Sequence, residues 1–338
     1  MAKAGILGAG TFGTALARML ANSGHEVSIW SHSFSSVKDE GGRKRHKNLP
    51  DMIIPSSISF HTDISEAVYD KDIVLFAVPS VFVRETASAI SPYISSGQII
   101  VDVAKGIECG TLLSMTGVIK DELSKSRRAC DGLPALVALS GPTHAEEIAC
   151  DLPSAIVSAS DDIHAAGEVQ DIFMNTCMRV YTNADVKGVE LCGALKNIMA
   201  LSSGIIMGLG FGDNARAALI TRGMAEIRRL GLKMDCAPET FSGLAGIGDL
   251  IVTATSMHSR NNRCGILIGQ GRSPEEAVRE IGMVVEGINS LAPAKQLMEK
   301  YHVSMPITSA VDSVIYGGKA PGDAVWDLMG REKKPEGI

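Results

Sequence analysis

The chain lacks what would place it among disulfide-stapled, membrane-spanning or nucleic-acid-binding proteins. Its seven cysteines, at 109, 130, 150, 177, 192, 236 and 264, are odd in number and show no CxxC spacing. That set supports neither a disulfide framework nor a zinc site, so no metal is expected, and a reducing cytoplasm is the expected setting. Positive charge is not in excess: 32 Lys and Arg stand against 38 Asp and Glu, a formal net charge of -6. Such a balance argues against nucleic acid or an anionic membrane as the main partner. The one basic run, Arg43 to Lys47, is short and reads as a solvated loop. No apolar run is expected to reach the roughly 18 residues of a spanning helix. The chain opens at once with a strand, with no charged n-region and cleavage site, so no export is expected. No period of about 20 to 50 residues recurs, which excludes a solenoid.

What is present suits an ordinary globular protein: 338 residues, 45% hydrophobic and 21% charged, room for two domains with real cores. Ala4 to Leu7 reads as a short buried strand running into Gly8-Ala9-Gly10-Thr11-Phe12-Gly13, then a helix from Thr14 to Ser23, then a second strand from Glu26 to Trp30. That order gives a GxGxxG run its meaning. Gly8 makes the tight turn, Gly10 lets backbone approach a pyrophosphate, and Gly13 lets helix pack on strand. The acidic residue that would close the second strand and bond the ribose hydroxyls of NAD is missing. Ser31, His32 and Ser33 follow instead, with Lys38 and Arg43 beyond, a set that leaves room for the 2'-phosphate of NADP.

Strands at 73–78, 98–103, 135–139, 155–159 and 178–181 extend the pattern, with helices at 81–90 and 162–174. The fold class expected is α/β: an N-terminal Rossmann-type doubly wound sheet over residues 1–185, then an all-α domain over 186–330 and a polar tail at 331–338. In open α/β sheets ligands collect beyond the carboxyl ends of the strands, where Lys105 and the turn from Gly141 to Ala145 fall.

The helical half begins with the most unusual stretch, Val186 to Leu209. Every fourth residue gives Gly188, Cys192, Lys196, Ala200, Gly204 and Gly208, so Lys196 projects from a stripe of small residues. A buried lysine loses its preference for the charged form and becomes a proton donor or acceptor near neutral pH; the alternative is a lysine that snorkels to water. Helices follow at 215–230, 259–270, 273–281, 290–301 and 308–316. Between them, the loop from Gly243 to Leu250 carries three glycines and one carboxylate, Asp249. His258-Ser259-Arg260-Asn261-Asn262 sets a hydroxyl, a guanidinium and amides at a helix start, a combination suited to a phosphate dianion, although Ser259 also reads as a plain N-cap.

Taken together, these segments resemble the NAD(P)-dependent glycerol-3-phosphate dehydrogenases of the bacterial soluble type. The resemblance runs through residues 8–17, Lys105-Gly106-Ile107-Glu108, Ser140-Gly141-Pro142-Thr143, residues 188–197, Gly246-Ile247-Gly248-Asp249-Leu250, Ser259-Arg260-Asn261 and Val284-Val285-Glu286-Gly287. It implies reduction of dihydroxyacetone phosphate to sn-glycerol 3-phosphate, a precursor of glycerophospholipids, in a cytoplasmic homodimer with NADP or NAD. It gives Lys196 the role of proton donor and acceptor, supported by Lys105 and Asp249. Substrate falls to Lys105, Gly141, Thr143, Lys196, Asp249, Ser259, Arg260 and Asn261. Cofactor falls to the turn glycines Gly8, Gly10 and Gly13 and to Thr11, Phe12, His32, Lys105, Ala145, Arg260, Val284 and Glu286. Two departures stand out: Thr11-Phe12 where the family often has Ser-Trp or Ser-Tyr, and Asn48 where a tyrosine often precedes Leu-Pro. Position 48 is therefore left out of the expected site.

Two other readings compete. A β-hydroxyacid or 6-phosphogluconate-type dehydrogenase also joins a Rossmann domain to a helical one with a helix lysine, but places an asparagine four residues after it, where Ala200 stands here. A catalytically silent NADP(H)-binding regulator would need the first domain only.

Overall fold

A computed structural model describes residues 1–126, 132–333 and 335–336. Cys130 and residues 334, 337 and 338 of the polar tail lie outside them. The chain divides into two compact units, one of residues 1–104 and 113–186, the other of 105–112 and 187–338.

In the first unit, β1 (Lys3–Leu7), α1 (Thr11–Asn22) and β2 (Glu26–Trp30) come first. Then follow β3 (Val37–Glu40), β4 (Arg43–His46), β5 (Leu49–Ile54), β6 (Ser59–His61), α2 (Ile64–Val68), β7 (Ile73–Phe76) and α3 (Val83–Ile90). The unit continues with β8 (Ile99–Asp102), α4 (Met115–Ser124), β9 (Ala135–Ser140), α5 (Ala145–Ala149), β10 (Ser154–Ala159), α6 (Ile163–Met174) and β11 (Met178–Asn183). Eight strands form one sheet in the order β11-β10-β9-β8-β7-β1-β2-β6. Every neighbouring pair is parallel except β9 and β10.

Strands β1 and β7 read as unbroken apolar runs because both faces of the sheet are covered. Alternate side chains enter different cores: Ile6 and Leu75 pack with Leu16 and Leu20 of α1 and with Val169 and Phe173 of α6. Leu7 and Phe76 pack with Val68 of α2, Val83 and Ile90 of α3, and Val118 and Ile119 of α4. One layer of helices thus lies on each face.

The basic run does not form a solvated loop. Arg43–His46 is the middle strand of a separate antiparallel sheet, β3-β4-β5. Gly41 and Gly42, both with positive φ (64° and 81°), make the two-residue hairpin turn before it. The strand period then turns Lys44 and His46 inward. Lys44 Nζ stands 4.6 Å from the centroid of the Phe60 ring, and His46 is buried.

The second unit is helical: α7 (Val186–Gly208), α8 (Asp213–Lys233), α9 (Pro238–Ser242), α10 (Asp249–Thr255), α11 (Arg260–Gly269), α12 (Pro274–Ile281), α13 (Glu286–Asn289), α14 (Leu291–Tyr301), α15 (Pro306–Ile315) and α16 (Pro321–Met329). Contrary to the sequence expectation, α7 is long and apolar enough to cross a membrane by length and composition. Here it is the buried centre of the unit. Its small residues serve close helix packing: a Cβ on Gly204 would sit 2.0 Å from Asn262 O, and one on Gly265 would sit 2.1 Å from Leu201 O. Only glycine lets α7 and α11 cross this tightly.

The region from Gly243 to Leu250, expected as a loop, is a wide π-type turn over Leu244–Gly248 that kinks at Gly246 and leads into α10. Its glycines make this wide turn feasible: a Cβ on Gly246 would meet Phe241 O at 2.3 Å.

One buried carboxylate ties two helices together. Glu226 of α8 accepts from the N–H of Ile307 (2.7 Å), the N–H of Thr308 (3.2 Å) and the Thr308 hydroxyl (3.3 Å), so it caps α15 from another helix. Burial pushes its pKa up to about 7 against these hydrogen bonds, which favour the anion. The folded protein therefore binds a proton that the unfolded chain, with an ordinary carboxyl, releases. Stability from this group is complete below the unfolded carboxyl pKa and is lost as pH rises toward 7, by about 3 kcal/mol. Glu226→Gln resembles the protonated acid. Its melting temperature relative to the native chain should climb between about pH 5 and 7 and level off above that range; a pH-independent difference would contradict the assignment.

Candidate functional site

The glycine turn of the first unit has the geometry its spacing predicts. Gly8 has φ 118°, and a Cβ there would lie 2.6 Å from Ala77 O. A Cβ on Gly13 would lie 2.3 Å from Gly8 O, so α1 packs directly on the end of β1. Gly10 differs: a Cβ there meets nothing within 4 Å, so its outer face is open. The first turn of α1 carries no acidic residue and no side-chain cap, leaving N–H groups of Thr11, Phe12 and Gly13 that the helix cannot satisfy internally. Open space over a bare helix start suits a diphosphate.

His32 lies just past β2, edge-on to Trp30 with ring centroids 4.6 Å apart. Gly8 N–H donates to Trp30 O (2.9 Å), which places the end of β2 beside the glycine turn. Gly141, Thr143 and Ala145 follow the end of β9. Gly141 backs onto β10, where a Cβ would come within 2.9 Å of Ile156 Cα, and the Thr143 hydroxyl donates to Gly141 O (3.2 Å). Ala145 opens the short helix α5 and is buried.

In the second unit the expected reactive groups converge on one carboxylate. Lys196 is 5% exposed, and its Nζ donates to Asp249 Oδ1 and to Thr253 Oγ1 (2.6 Å). Lys105 Nζ donates to the other oxygen, Asp249 Oδ2, at 2.6 Å. Lys105 can do so because its segment belongs to this unit: Ile107 and Leu112 pack on the helical core, and Gly110 N–H donates to Gln296 Oε1 of α14 (3.0 Å).

Thr253 was not expected. Its hydroxyl donates to Asp249 O (2.6 Å), one helical turn back, and so turns its lone pairs toward Lys196. The signal was the spacing of four from Asp249, which puts both on one face of α10.

Burial, helped by the nearby Lys105, brings the Lys196 pKa down to about 7 against the raising pull of Asp249. Burial works to raise Asp249, but the two ammonium groups outweigh it and hold the carboxyl below its ordinary value. An ammonium has three protons, and two of those on Lys196 are bonded among the described residues. The third is available to an acceptor.

Ser259 is the N-cap of α11, accepting from Asn262 N–H (3.2 Å), so the plain-cap role is real. Asn261 is buried in a chain of amides: it donates to Asn197 Oδ1 (3.0 Å) and accepts from Gly287 N–H (2.8 Å). Arg260 opens the helix beside it, and Val284 and Glu286 flank the start of α13. Thus Asn197 (the residue after Lys196), the start of α11 and Gly287 (the residue after Glu286) are linked by hydrogen bonds. Among the described residues no group of three or more His, Cys, Asp or Glu is placed to hold a metal ion.

Comparison with known proteins gives the family. Residues 3–166 match the N-terminal model of NAD-dependent glycerol-3-phosphate dehydrogenase, and residues 185–326 match the C-terminal one. The chain belongs to the NAD-dependent glycerol-3-phosphate dehydrogenase family. It is 61% identical to glycerol-3-phosphate dehydrogenase (NAD(P)+) 2 of Lactobacillus delbrueckii subsp. bulgaricus, over 99% of each chain. It is 48% identical to the Thermoanaerobacter enzyme, over 99% of this chain and 98% of that one. A crystal structure of glycerol-3-phosphate dehydrogenase from Coxiella burnetii superposes with TM-score 0.90 at 35% identity, covering 98% of this chain and 99% of the other.

In this family member Lys196 should titrate near neutrality, as followed through the side-chain nitrogen signal of lysine-labelled protein. Asp249→Asn removes the charge that raises the Lys196 pKa, so its midpoint should move to lower pH. A Lys196 signal that titrates with the exposed lysines would overturn the description.

Proposed function

We infer that this chain catalyses reversible reduction of dihydroxyacetone phosphate to sn-glycerol 3-phosphate with NADPH or NADH, the reaction that supplies glycerophospholipid synthesis. The observation that carries the chemistry is the buried Lys196 ammonium, poised to lose its proton and holding one proton in reserve. A dinucleotide held at the turn of Gly8, Gly10 and Gly13 would supply the hydride to the ketose C2 carbon. As the carbonyl oxygen gains charge, Lys196 gives it a proton and becomes a neutral amine; in the reverse direction the amine takes the proton of the C2 hydroxyl. A cation beside that oxygen stabilises the transition state more than the ground state. Asp249 holds both lysines in place, and Lys105 adds a second positive charge.

We assign the substrate phosphate to the start of α11, where Arg260 supplies a bidentate donor and Ser259 and Asn261 supply helix-start groups. Gly141 and Thr143 complete the proposed substrate set. The proposed dinucleotide set is Gly8, Gly10, Thr11, Phe12, Gly13, His32, Lys105, Ala145, Arg260, Val284 and Glu286. Residues 1–104 with 113–186 form the proposed dinucleotide-binding unit, and the helical unit the substrate-binding one. The missing carboxylate after Trp30 favours NADPH over NADH, which paired kinetics would test. A cytoplasmic homodimer is part of the same reading, its support being the family resemblance.

The pH sign follows from the Lys196 pKa of about 7. Ketone reduction needs the ammonium, so its kcat should fall as pH rises through that value, whereas alcohol oxidation needs the amine and should rise there. Lys196→Ala should lower kcat in both directions by roughly 10² to 10⁴; near-normal turnover at 340 nm would sink the assignment. Arg260→Ala should weaken dihydroxyacetone phosphate selectively, and an equal loss with unphosphorylated dihydroxyacetone would count against the phosphate role.

A further inference from the structure

Asn48, between β4 and β5, meets the first residue of α1 in space. Asn48 Nδ2 donates to the Thr11 hydroxyl at 3.1 Å. Thr11 is the first residue of α1, next to Gly10 and its open face. Asn48 is itself held: its backbone N–H donates to Nδ1 of the buried His46 (3.2 Å) at the end of β4. A second bond joins the same small sheet to the turn, from the Ser36 hydroxyl to Ala9 O at 3.3 Å. The β3-β4-β5 sheet is therefore fastened to the glycine turn at Ala9 and at Thr11.

A hydroxyl has one proton and two acceptor positions. With an amide donor occupying an acceptor position of Thr11, its proton is free to be donated, and the open side of the turn is where an anion would take it. We propose that Asn48 is a positioning residue for the dinucleotide diphosphate: it orients the Thr11 hydroxyl so that the pair, and not Thr11 alone, contributes a hydrogen bond to the diphosphate. This rests on the dinucleotide-binding reading given above. Threonine and asparagine here act together, since an oriented hydroxyl requires the amide that donates to it.

The test is binding, with the full-length protein and no turnover. Dissociation constants for NADPH, ADP and adenosine are measured by calorimetry for the native chain, Asn48→Ala, Asn48→Asp, Thr11→Val and the Asn48→Ala/Thr11→Val double variant. Asn48→Ala should weaken NADPH and ADP by roughly 3- to 10-fold, the size of one neutral hydrogen bond. Asn48→Asp, of the same size but with no donor and a like charge beside the diphosphate, should weaken them more. The double variant should bind no worse than the weaker single one. Adenosine, which has no diphosphate, should be unaffected. In steady state the loss should fall on the KM for dinucleotide and spare the KM for dihydroxyacetone phosphate. Unchanged NADPH affinity in Asn48→Ala, additive losses in the double variant, or equal weakening of adenosine would overturn the proposal while leaving dinucleotide binding intact. A native chain that bound neither NADPH nor ADP would overturn both.

Discussion

The second unit depends on one carboxylate shared by two ammonium groups. Taking Asp249 and Lys196 out of water costs more than either can recover alone, and the arrangement holds because each oxygen of Asp249 has its own cation. Two effects of opposite sign then act on Lys196: burial favours the amine, and Asp249 favours the ammonium. Burial wins, but narrowly enough to leave the group changing state near neutral pH. An exposed lysine would keep its proton throughout, and a buried lysine without Asp249 would have none to give. The catalytic property proposed for Lys196 lies in the balance and not in the lysine itself.

On the same helix α7, glycines set the approach of a different neighbour, α11. Gly204 and Gly208 of α7 face Gly265 and Gly269 of α11, each with a backbone atom of the other helix where a Cβ would be. The same crossing places the start of α11, which begins at the Ser259 cap and runs unbroken to Gly269. The amide chain from Asn197 through Asn261 to Gly287 adds a third element to the pair. Gly287 is again forced to be glycine, since a Cβ there would lie 2.5 Å from Asn197 O. The small-residue stripe beside Lys196 thus serves packing, and packing sets where the polar groups end up.

These features differ in how far the sequence revealed them. The GxGxxG turn was legible because strand, turn and helix are local and each glycine has its own steric reason. Lys196 was legible because a charge within an apolar helical period has few explanations. The β3-β4-β5 sheet was not, since its middle strand is a run of basic residues whose inward side becomes visible only once Phe60 and the glycine turn are beside it; Gly41-Gly42 was the overlooked sign. The π turn before Asp249 was missed because three glycines read as a loop unless Phe241 is known to press against them. Thr253 was missed because its role depends on which way α10 faces. Lys105 was placed by the end of its strand, but its attachment to the helical unit comes through Ile107, Leu112 and Gln296, contacts remote in sequence.

The second unit also shows why a displaced pKa does not by itself mark a reactive group. Lys196 and Glu226 are both buried in it, and burial brings each to about 7, one from above and one from below. Their bonding differs. Both oxygens of Glu226 are engaged by the start of α15, so its proton serves only to relieve a buried charge. Lys196 spends two of its three protons on Asp249 and Thr253 and keeps one. A carboxylate with both oxygens tied to one helix start is a structural tie whose charge state alters stability, whereas an ammonium with a proton left unbonded among the described residues has something to exchange with a bound molecule. On this criterion the lysine is the candidate for the reactive group and the glutamate is not, although desolvation acts on both.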